Sequence, residues 1–475
     1  MKKVFKNFIY NLSYQVFSFI LPVITVPYIT GIISQKTIGV NSVLQANSTY
    51  FILLGMLGIS TYGSKEIAKI QEDIPCVSSR FFQIFKIQFF SHLFCLFIYF
   101  IYLFFIDNRT LGVFYVLNII ASMFDISWFF IGMEDFKSIS IRNIFVKLVS
   151  FFLLFIFVKG DGDIYAYVCT LYIPQIIINI YMWFKLAKII HFKLSFLKCK
   201  IIKDDLKETI SLFIPQVASS VYTILDKTVL GWFETYENIA IYDQGQIILR
   251  LVLAIVPSFS KVMMPRISHT INQGNMKKAE KYMIASSNLI SFLSFGIFFG
   301  ILAISDLFVG WYFPSQYENV KYILILCSLI ILAVSGSNLI SIQFLIPLGK
   351  QKIYTFSLII ASITNFVLNM FLIPKMGIIG ACLSSSIAEI LGFTIQLYFS
   401  RNYISLRKLF GNTVCYLLSG TVMWLFLWNL KRYFTSTLIS LIILVMIGLS
   451  IYAITTFILL KVKTRKSIIE LFRVD

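Results

Sequence analysis

Long apolar runs dominate this chain and limit what it can fold into. Many of them reach the length of about 20 residues that an α-helix needs to cross the hydrocarbon core of a bilayer. The mean hydropathy is +0.84 and the charged fraction is 13%, whereas an ordinary soluble domain carries about 25% charged residues. The sequence therefore predicts an all-α integral membrane protein without a soluble domain.

The spacing of the runs predicts about fourteen transmembrane helices. Six of these spans precede a basic segment, HFKLSFLKCKIIKDDLKE, and eight follow it. The predicted spans are 8–33, 39–62, 81–106, 111–132, 138–158, 164–189, 209–232, 238–262, 282–304, 320–347, 353–373, 377–399, 410–430 and 436–460.

A weak internal repeat predicts the domain organisation. The stretch that begins LPVITVPYITG at residue 21 is loosely matched by the one that begins IPQVASSVYTI at residue 214. Two units of six spans share their orientation, which places a substrate site in a central cavity between pseudo-symmetric lobes. The predicted domains are an N-terminal six-helix lobe (1–190), a basic cytoplasmic linker (191–208), a C-terminal six-helix lobe (209–399), and two additional helices with a basic cytoplasmic tail (400–475).

The basic residues predict the orientation in the membrane. With both termini in the cytoplasm, most of the 41 Lys and Arg residues lie in or beside cytoplasmic segments, as the positive-inside rule requires. The net charge of +19 is therefore explained by topology and by anionic lipid headgroups, and we expect no nucleic-acid partner.

Cysteine and histidine usage indicates no cofactor or metal. The seven cysteines are scattered through apolar runs without a CxxC spacing, and the three histidines are far apart. Such cysteines are typical of small core residues. The predicted outer connections are also too short to hold a catalytic domain, so we expect a protein that is not an enzyme.

Several stretches together resemble bacterial polysaccharide flippases of the multidrug/oligosaccharidyl-lipid/polysaccharide exporter superfamily. They include DISWFFIGMEDFKSISIRNIFVKL (125–148), IPQVASSVYTILDKTVLG (214–231), YDQGQIILR (242–250) and NMFLIPKMGIIGACLSSSIAE (369–389). The resemblance implies a multi-pass protein of the bacterial cytoplasmic membrane. It would turn an undecaprenyl-pyrophosphate-linked oligosaccharide from the cytoplasmic to the outer leaflet by alternating access. A polysaccharide polymerase and glycosyltransferases would be candidate partners.

Charged residues inside the spans are the candidate functional residues, because each costs about 2.5–3.5 kcal/mol at the bilayer centre. Lys227 lies eight residues before the turn predicted near residue 235, and Asp243 lies eight residues after it. At 1.5 Å per residue both lie ~12 Å from the turn, so they can pair as a brace or line the transport path. Asp226 points about 100° away from Lys227 on the same helix.

The same argument pairs Asp125 with Lys147. They lie eleven residues before and after the turn predicted near residue 136. The same two interpretations are open for this pair: a structural brace between adjacent helices, or a part of the transport path.

Arg250 lies near mid-depth without a hairpin partner, and Glu389 lies at a similar depth. An exporter of a lipid pyrophosphate needs a cation in its cavity, and a guanidinium donates two bonds to phosphate oxygens while staying charged. We therefore favour Arg250 for that role. The alternative is a salt bridge with Glu389, which could also be the protonatable group of an ion-coupled cycle.

Further polar or aromatic residues are weaker candidates. Trp128 could stack on a sugar and Gln216 could hydrogen-bond one, although each could simply pack between helices. Glu134, Asp135 and Arg142 lie at the cytoplasmic end of spans 4 and 5, where they form either an inner gate or a solvated turn.

Two other functions stay open. One is a proton- or sodium-coupled exporter of small molecules, although the cations Arg250 and Lys227 suit an anionic substrate better than a cationic drug. The other is a membrane-embedded glycosyl polymerase, which would need a larger outer loop than this chain has.

Overall fold

The computed structural model describes residues 20–190 and 224–464, together with positions 17, 18, 208–210, 213 and 217. In these residues the regular structure is helical, as the apolar runs predict. The chain divides into two compact units, Met1–Thr228 and Val229–Asp475. The division falls after the predicted 191–208 linker, of which only Glu208 is described. The lobe and linker boundaries stay a prediction.

The first unit consists of helices joined by short turns. They are α1 (Ile20–Ile32), α2 (Gln35–Met56), α3 (Ile59–Ile70), α4 (Ile74–Leu103), α5 (Arg109–Phe114), α6 (Val116–Met123), α7 (Ser127–Gly132), α8 (Phe136–Phe157) and α9 (Ile164–Ala187). A further helix, α10, covers residues 224–233 and contains the boundary between the units.

The second unit contains longer helices. They are α11 (Tyr236–Leu253), α12 (Ile255–Asn272), α13 (Met276–Tyr312), α14 (Val320–Ile340), α15 (Gln351–Ser400), α16 (Leu406–Leu409), α17 (Thr413–Leu430) and α18 (Leu438–Thr464). A π-helical turn, Ser341–Leu345, continues α14.

Ten helical segments of the described residues are long and apolar enough to cross a membrane, and each overlaps at least one predicted span. They are Gln35–Ile70, Ile74–Leu103, Arg109–Gly132, Phe136–Phe157, Asp161–Ala187, Met276–Tyr312, Ser315–Leu345, Gln351–Ser400, Leu406–Tyr433 and Leu438–Lys463. The prediction of an all-helical, multi-pass membrane protein is confirmed.

Helix α15 consists of two arms that meet at Gly377. Its 50 residues would extend ~75 Å as one straight helix, far more than a bilayer needs. Gly377 has φ 57° and ψ −134°, a conformation that favours glycine. A Cβ atom there would also lie 1.9 Å from Glu234 Oε1. The two arms correspond to the predicted spans 353–373 and 377–399.

The core of the first unit is aromatic. Phe81 of α4 stacks on Trp128 of α7, with ring centroids 5.4 Å apart and an interplanar angle of 20°. Phe129 meets Phe81 edge-on at 5.4 Å, and all three side chains are at most 1% exposed. This packing fixes α7 against α4.

The span Arg109–Gly132 is interrupted between α6 and α7, and side chains bind backbone carbonyls at the interruption. Gln88 Nε2 donates to the carbonyls of Ser122 (3.2 Å), Met123 (3.1 Å) and Asp125 (2.9 Å). Asn179 Nδ2 donates to the Ala121 carbonyl at 2.7 Å. Because no water solvates a backbone carbonyl in hydrocarbon, these bonds are what makes a broken helix tolerable at this position.

We predict that Gln88→Leu lowers the free energy of unfolding by about 2–3 kcal/mol, since the carbonyls of Met123 and Asp125 lose their side-chain donor. Gln88 is fully buried, and its Oε1 also accepts a 2.8 Å bond from Trp128 Nε1. Thermal unfolding of the detergent-solubilised protein measures the effect. The matched control is Gln83→Leu on the same helix, where the half-buried amide oxygen binds Arg80. Equal losses for both variants would contradict the prediction.

Candidate functional site

The acid and base of α10 are buried and directly precede a residue of a polar cluster in the first unit. Asp226 is 7% exposed and Lys227 is 8% exposed. The next residue, Thr228, donates through Oγ1 to Asn47 Oδ1 at 3.2 Å and lies 3.1 Å from the Tyr50 hydroxyl. Buried charges of this kind in a membrane line an interior rather than the lipid.

The cluster extends across α2 to α4. Asn47 Nδ2 donates to the Tyr102 hydroxyl at 2.7 Å, so the amide of Asn47 links the hydroxyls of Thr228 and Tyr102. Sequence reasoning missed Tyr50, Tyr102 and Thr228. The signal that could have found them is the polar residues of α2 at helical spacing, such as Asn47 and Tyr50, within an apolar span.

Asp125 and Arg142 form a buried ion pair in the first unit. Arg142 is 7% exposed, and its Nη2 donates to Asp125 Oδ2 at 2.7 Å. The same guanidinium donates to Ser127 Oγ at 2.7 Å and to Asn179 Oδ1 at 2.9 Å and 3.1 Å. Asp125 Oδ1 accepts from the Ser127 amide at 2.8 Å. Fully hydrogen-bonded partners of this kind are what lets a buried ion pair persist.

This arrangement corrects the predicted pairing of Asp125 with Lys147. Counting equal numbers of residues from the turn assumes two straight helices, but the helix break between α6 and α7 lies at Asp125. The long Arg142 side chain reaches the carboxylate from closer to the turn. Lys147 is half-buried on α8, and its predicted contact with substrate is untested.

Trp128 and Glu134 differ from one another in their surroundings. Trp128 is 1% exposed in the aromatic core. The side chain therefore packs between helices and offers no face to a sugar. Glu134 is exposed and has φ 54°, the left-handed conformation, at the turn between α7 and α8.

In the second unit Arg250 lies on the same face of α11 as Asp243, two turns away. Its Nη2 lies 3.5 Å from Asp243 Oδ1, and its Nε donates to the Gln246 carbonyl at 3.2 Å. The Arg250 side chain is 51% exposed, whereas Asp243 is 6% exposed. The carboxylate next to Arg250 in this structure is that of Asp243 rather than that of Glu389.

The remaining predicted residues take separate positions. Glu389 is half-buried on the second arm of α15. Gln216 lies outside the described residues. Lys227 belongs to the first unit and Asp243 to the second, and the pairing predicted between them stays a prediction.

An apolar cavity of about 360 Å³ lies among α11, α13, α14, α17 and α18 of the second unit. Its wall includes Gly300, Phe308, Met423 and Gly448. A Cβ atom at Gly300 would meet nothing within 4 Å. The cavity is within the size range of small-ligand sites. Sequence reasoning assigned no role to the last two helices. Their sequences are uniformly apolar, so no residue pattern indicates that they line a cavity.

A polar contact joins the turn between α7 and α8, where Asp135 lies between two spans, to the last turn of α9. The Asp135 carboxylate accepts from Lys185 Nζ at 2.5 Å and from Ser138 Oγ at 2.6 Å. Burial alone would raise the pKa of Asp135, but the bonds from Lys185 and Ser138 outweigh it and hold this pKa below its usual range.

We predict that Asp135→Asn lowers the free energy of unfolding at pH 7 by about 0.5–1 kcal/mol, a value reduced for the solvent screening of a partly exposed pair. Because the pKa of Asp135 is lower in the folded state, its ionised carboxylate stabilises the fold at pH values above the unfolded-state pKa of ~3.9. This stabilisation is lost as the pH falls through the folded-state pKa. Thermal unfolding at pH 7 and pH 3 should therefore show a difference between wild type and variant that is smaller at pH 3 than at pH 7. Asp107→Asn, at an exposed carboxylate, is the control, and a pH-independent difference would refute the ion pair.

Comparison with known proteins adds a family and a fold. Residues 4–271 match the profile of the family described as "Polysaccharide biosynthesis protein". A putative O-antigen transporter of Shigella dysenteriae is 24% identical over 382 residues, which cover 79% of this chain and 94% of that one. A putative O-antigen transporter of Escherichia coli K12 is 24% identical over 413 residues, which cover 84% and 96% of the two chains.

Among solved structures, the lipid II flippase MurJ in an inward closed conformation superposes with a TM-score of 0.75. The match covers 96% of this chain and 99% of that one at 18% sequence identity. The two proteins therefore share a fold, including the helices that follow the first twelve predicted spans.

Proposed function

Because the chain belongs to the polysaccharide biosynthesis protein family, we propose that it is a flippase for lipid-linked oligosaccharides. It carries undecaprenyl-pyrophosphate-linked repeat units from the cytoplasmic to the outer leaflet of the bacterial cytoplasmic membrane by alternating access. Its termini are cytoplasmic, and it makes or breaks no covalent bond. The observation that carries the proposal is the similarity to O-antigen transporters along 79% and 84% of the chain. A polymerase and glycosyltransferases that handle the same repeat unit are its partners.

Arg250 binds the pyrophosphate in this proposal. Two of the five N–H donors that a guanidinium offers are engaged, one with Asp243 and one with a backbone carbonyl. The long 3.5 Å contact and the 51% exposure of the side chain leave a face of the guanidinium for a phosphate. Arginine suits this role because its planar fork matches two phosphate oxygens.

The polyprenyl tail occupies the apolar cavity at Gly300. The wall is almost wholly apolar, and such a cavity stays free of water and favours hydrocarbon. A lipid-linked substrate needs both a cation for its headgroup and an apolar place for its tail, and the second unit contains both.

The other charges support the transport cycle. Lys227 and Lys147 contact the substrate, while Glu389, Asp226 and Asp243 take part in ion coupling. The ion pair between Asp125 and Arg142 fastens the cytoplasmic ends of the helices, and Glu134 at the neighbouring turn belongs to the inner gate.

Two alternatives make different demands. A proton- or sodium-coupled exporter of cationic small molecules would favour an exposed carboxylate over an exposed guanidinium, whereas in the Asp243–Arg250 pair the guanidinium is the exposed partner. A glycosyl polymerase would need a catalytic outer loop, and the described connections between helices are short.

A cell lacking its own repeat-unit flippase tests the proposal. Expression of this chain, with glycosyltransferases that build a matching repeat unit, should restore surface polysaccharide and prevent accumulation of the lipid-linked unit on the cytoplasmic face. The proposal would be overturned if the protein is inserted in the membrane but the lipid-linked unit accumulates as much as in cells without it. This result would have to hold for repeat units of several compositions.

We predict that Arg250→Ala weakens binding of an undecaprenyl-pyrophosphate oligosaccharide by roughly tenfold or more, since a hydrogen bond to a charged group contributes about 1.5–3 kcal/mol. The affinity of Arg250→Lys should lie between those of wild type and Arg250→Ala, because lysine keeps the charge but lacks the planar fork of the guanidinium. Asp243→Asn is the matched variant on the same helix, and it should bind at least as tightly as wild type. Titration in lipid nanodiscs measures the affinities; unchanged binding by Arg250→Ala would reduce Arg250 to a structural brace.

We predict that Gly300→Leu weakens binding of the same substrate by about tenfold, because the new side chain displaces about two methylene groups worth ~0.8 kcal/mol each. Gly300→Ala is the control, since it changes the backbone equally but fills little of the cavity. With an analogue whose prenyl chain is too short to reach the cavity, the effect should disappear. An equal effect on both analogues would show that the variant disturbs packing instead.

A further inference from the structure

A second cavity of about 490 Å³ lies in the second unit among α13, α14, the second arm of α15 and the start of α17. We call it the inner cavity. Its wall is mainly apolar, with the hydroxyls of Ser291, Ser294 and Thr413 as the polar exceptions. The Oγ1 atom of Thr413 is buried without a hydrogen-bond partner. The space is the size of a ligand site, and the proposed function does not use it.

Two apolar residues of the wall of the inner cavity are exposed. Leu329 of α14 and Ile390 of α15 both line it, and each is 44% exposed. Both lie inside segments that are apolar enough to span a membrane. Exposed aliphatic side chains in such a wall suit contact with an acyl chain.

One end of the inner cavity reaches the basic end of the spans. Leu397 and Phe410 line that end, directly before the end of α15 and directly before α17. Four cations lie beside them in the chain or in space, and we call them the basic rim: Lys350, Arg401, Arg407 and Lys408. All four are exposed. By the positive-inside rule this is the cytoplasmic face.

Aromatic rings hold the rim at the interface. The Arg401 guanidinium lies 3.9 Å from the centre of the Tyr398 ring, and Lys350 Nζ lies 5.7 Å from that of Tyr403. Tyrosine is typical of the level of the lipid headgroups. Lys408 pairs with Glu280 at 3.2 Å. The two arginines of the rim are Arg401 and Arg407.

We propose that the inner cavity binds an anionic glycerophospholipid of the cytoplasmic leaflet. One acyl chain lies between Leu329 and Ile390, and the phosphate lies on the basic rim. Charge complementarity selects this occupant, because basic pockets between helices on the cytoplasmic side suit anionic headgroups and the cavity behind them accepts hydrocarbon. The lipid holds α17 against α13 and α15, and the inference does not depend on which substrate the protein carries.

Native mass spectrometry of the full chain in detergent tests the site, with phosphatidylglycerol and phosphatidylcholine as probes. Wild type should retain phosphatidylglycerol in preference to phosphatidylcholine. Arg401→Ala/Arg407→Ala should weaken phosphatidylglycerol binding by roughly tenfold, since each basic residue near the headgroup contributes to the attraction. The control is Lys137→Ala/Lys188→Ala, which removes two exposed charges of the first unit from the predicted cytoplasmic face, and it should bind like wild type.

A second arm tests the acyl chain and the source of the phosphate. Ala333→Leu adds bulk in the wall and should reduce retention of phosphatidylglycerol, while the melting temperature reports whether the fold persists. Undecaprenyl phosphate should displace phosphatidylglycerol poorly. Equal lipid retention by the two charge-deleted variants would overturn the proposal, and so would efficient displacement by undecaprenyl phosphate, which would make the cavity part of the substrate path.

Discussion

Hydrocarbon offers no water to an interrupted helix or a buried charge, so every break and every ion in this fold needs partners from the protein itself. The break before α7 is the clearest case. Gln88 and Asn179 donate to backbone carbonyls at the break, and Arg142 binds both Asn179 and Asp125. One network therefore satisfies the backbone and neutralises a carboxylate. It also joins α4, α6, α8 and α9 through side-chain hydrogen bonds.

The same constraint explains how far the sequence could predict the structure. Apolar runs of span length identify the helices reliably, because no other secondary structure satisfies the backbone of a single segment in lipid. The two arms of α15 were predictable as separate spans, since IPKMG places a proline and a glycine between two apolar runs. Intramembrane charge likewise marked Asp125, Asp243 and Arg250 as residues with partners or functions.

The partners themselves were less predictable. Counting residues from a turn paired Asp125 with Lys147, because the sequence MFDIS carries no proline or glycine that would announce a break. Trp128 could not be told from a ligand-stacking residue until its burial against Phe81 was known. The cavities depend on side-chain shapes from four or five helices at once, and no local pattern records that shape. Long-range packing is therefore where sequence reasoning ends.

The chemistry of the proposed substrate agrees with the distribution of polar and apolar surface in the second unit. We propose separate places for the three ligands: the exposed guanidinium for the pyrophosphate, the apolar cavity beside the last two helices for the polyprenyl chain, and the second cavity near the basic membrane face for a phospholipid. The measurement that tests flipping most directly is reconstitution of the purified chain with a fluorescent undecaprenyl-pyrophosphate oligosaccharide, followed by quenching from outside the vesicles. We predict that the protein makes inner-leaflet label accessible to the quencher. Accessibility equal to that of protein-free vesicles, with correctly folded protein in the membrane, would contradict the flippase.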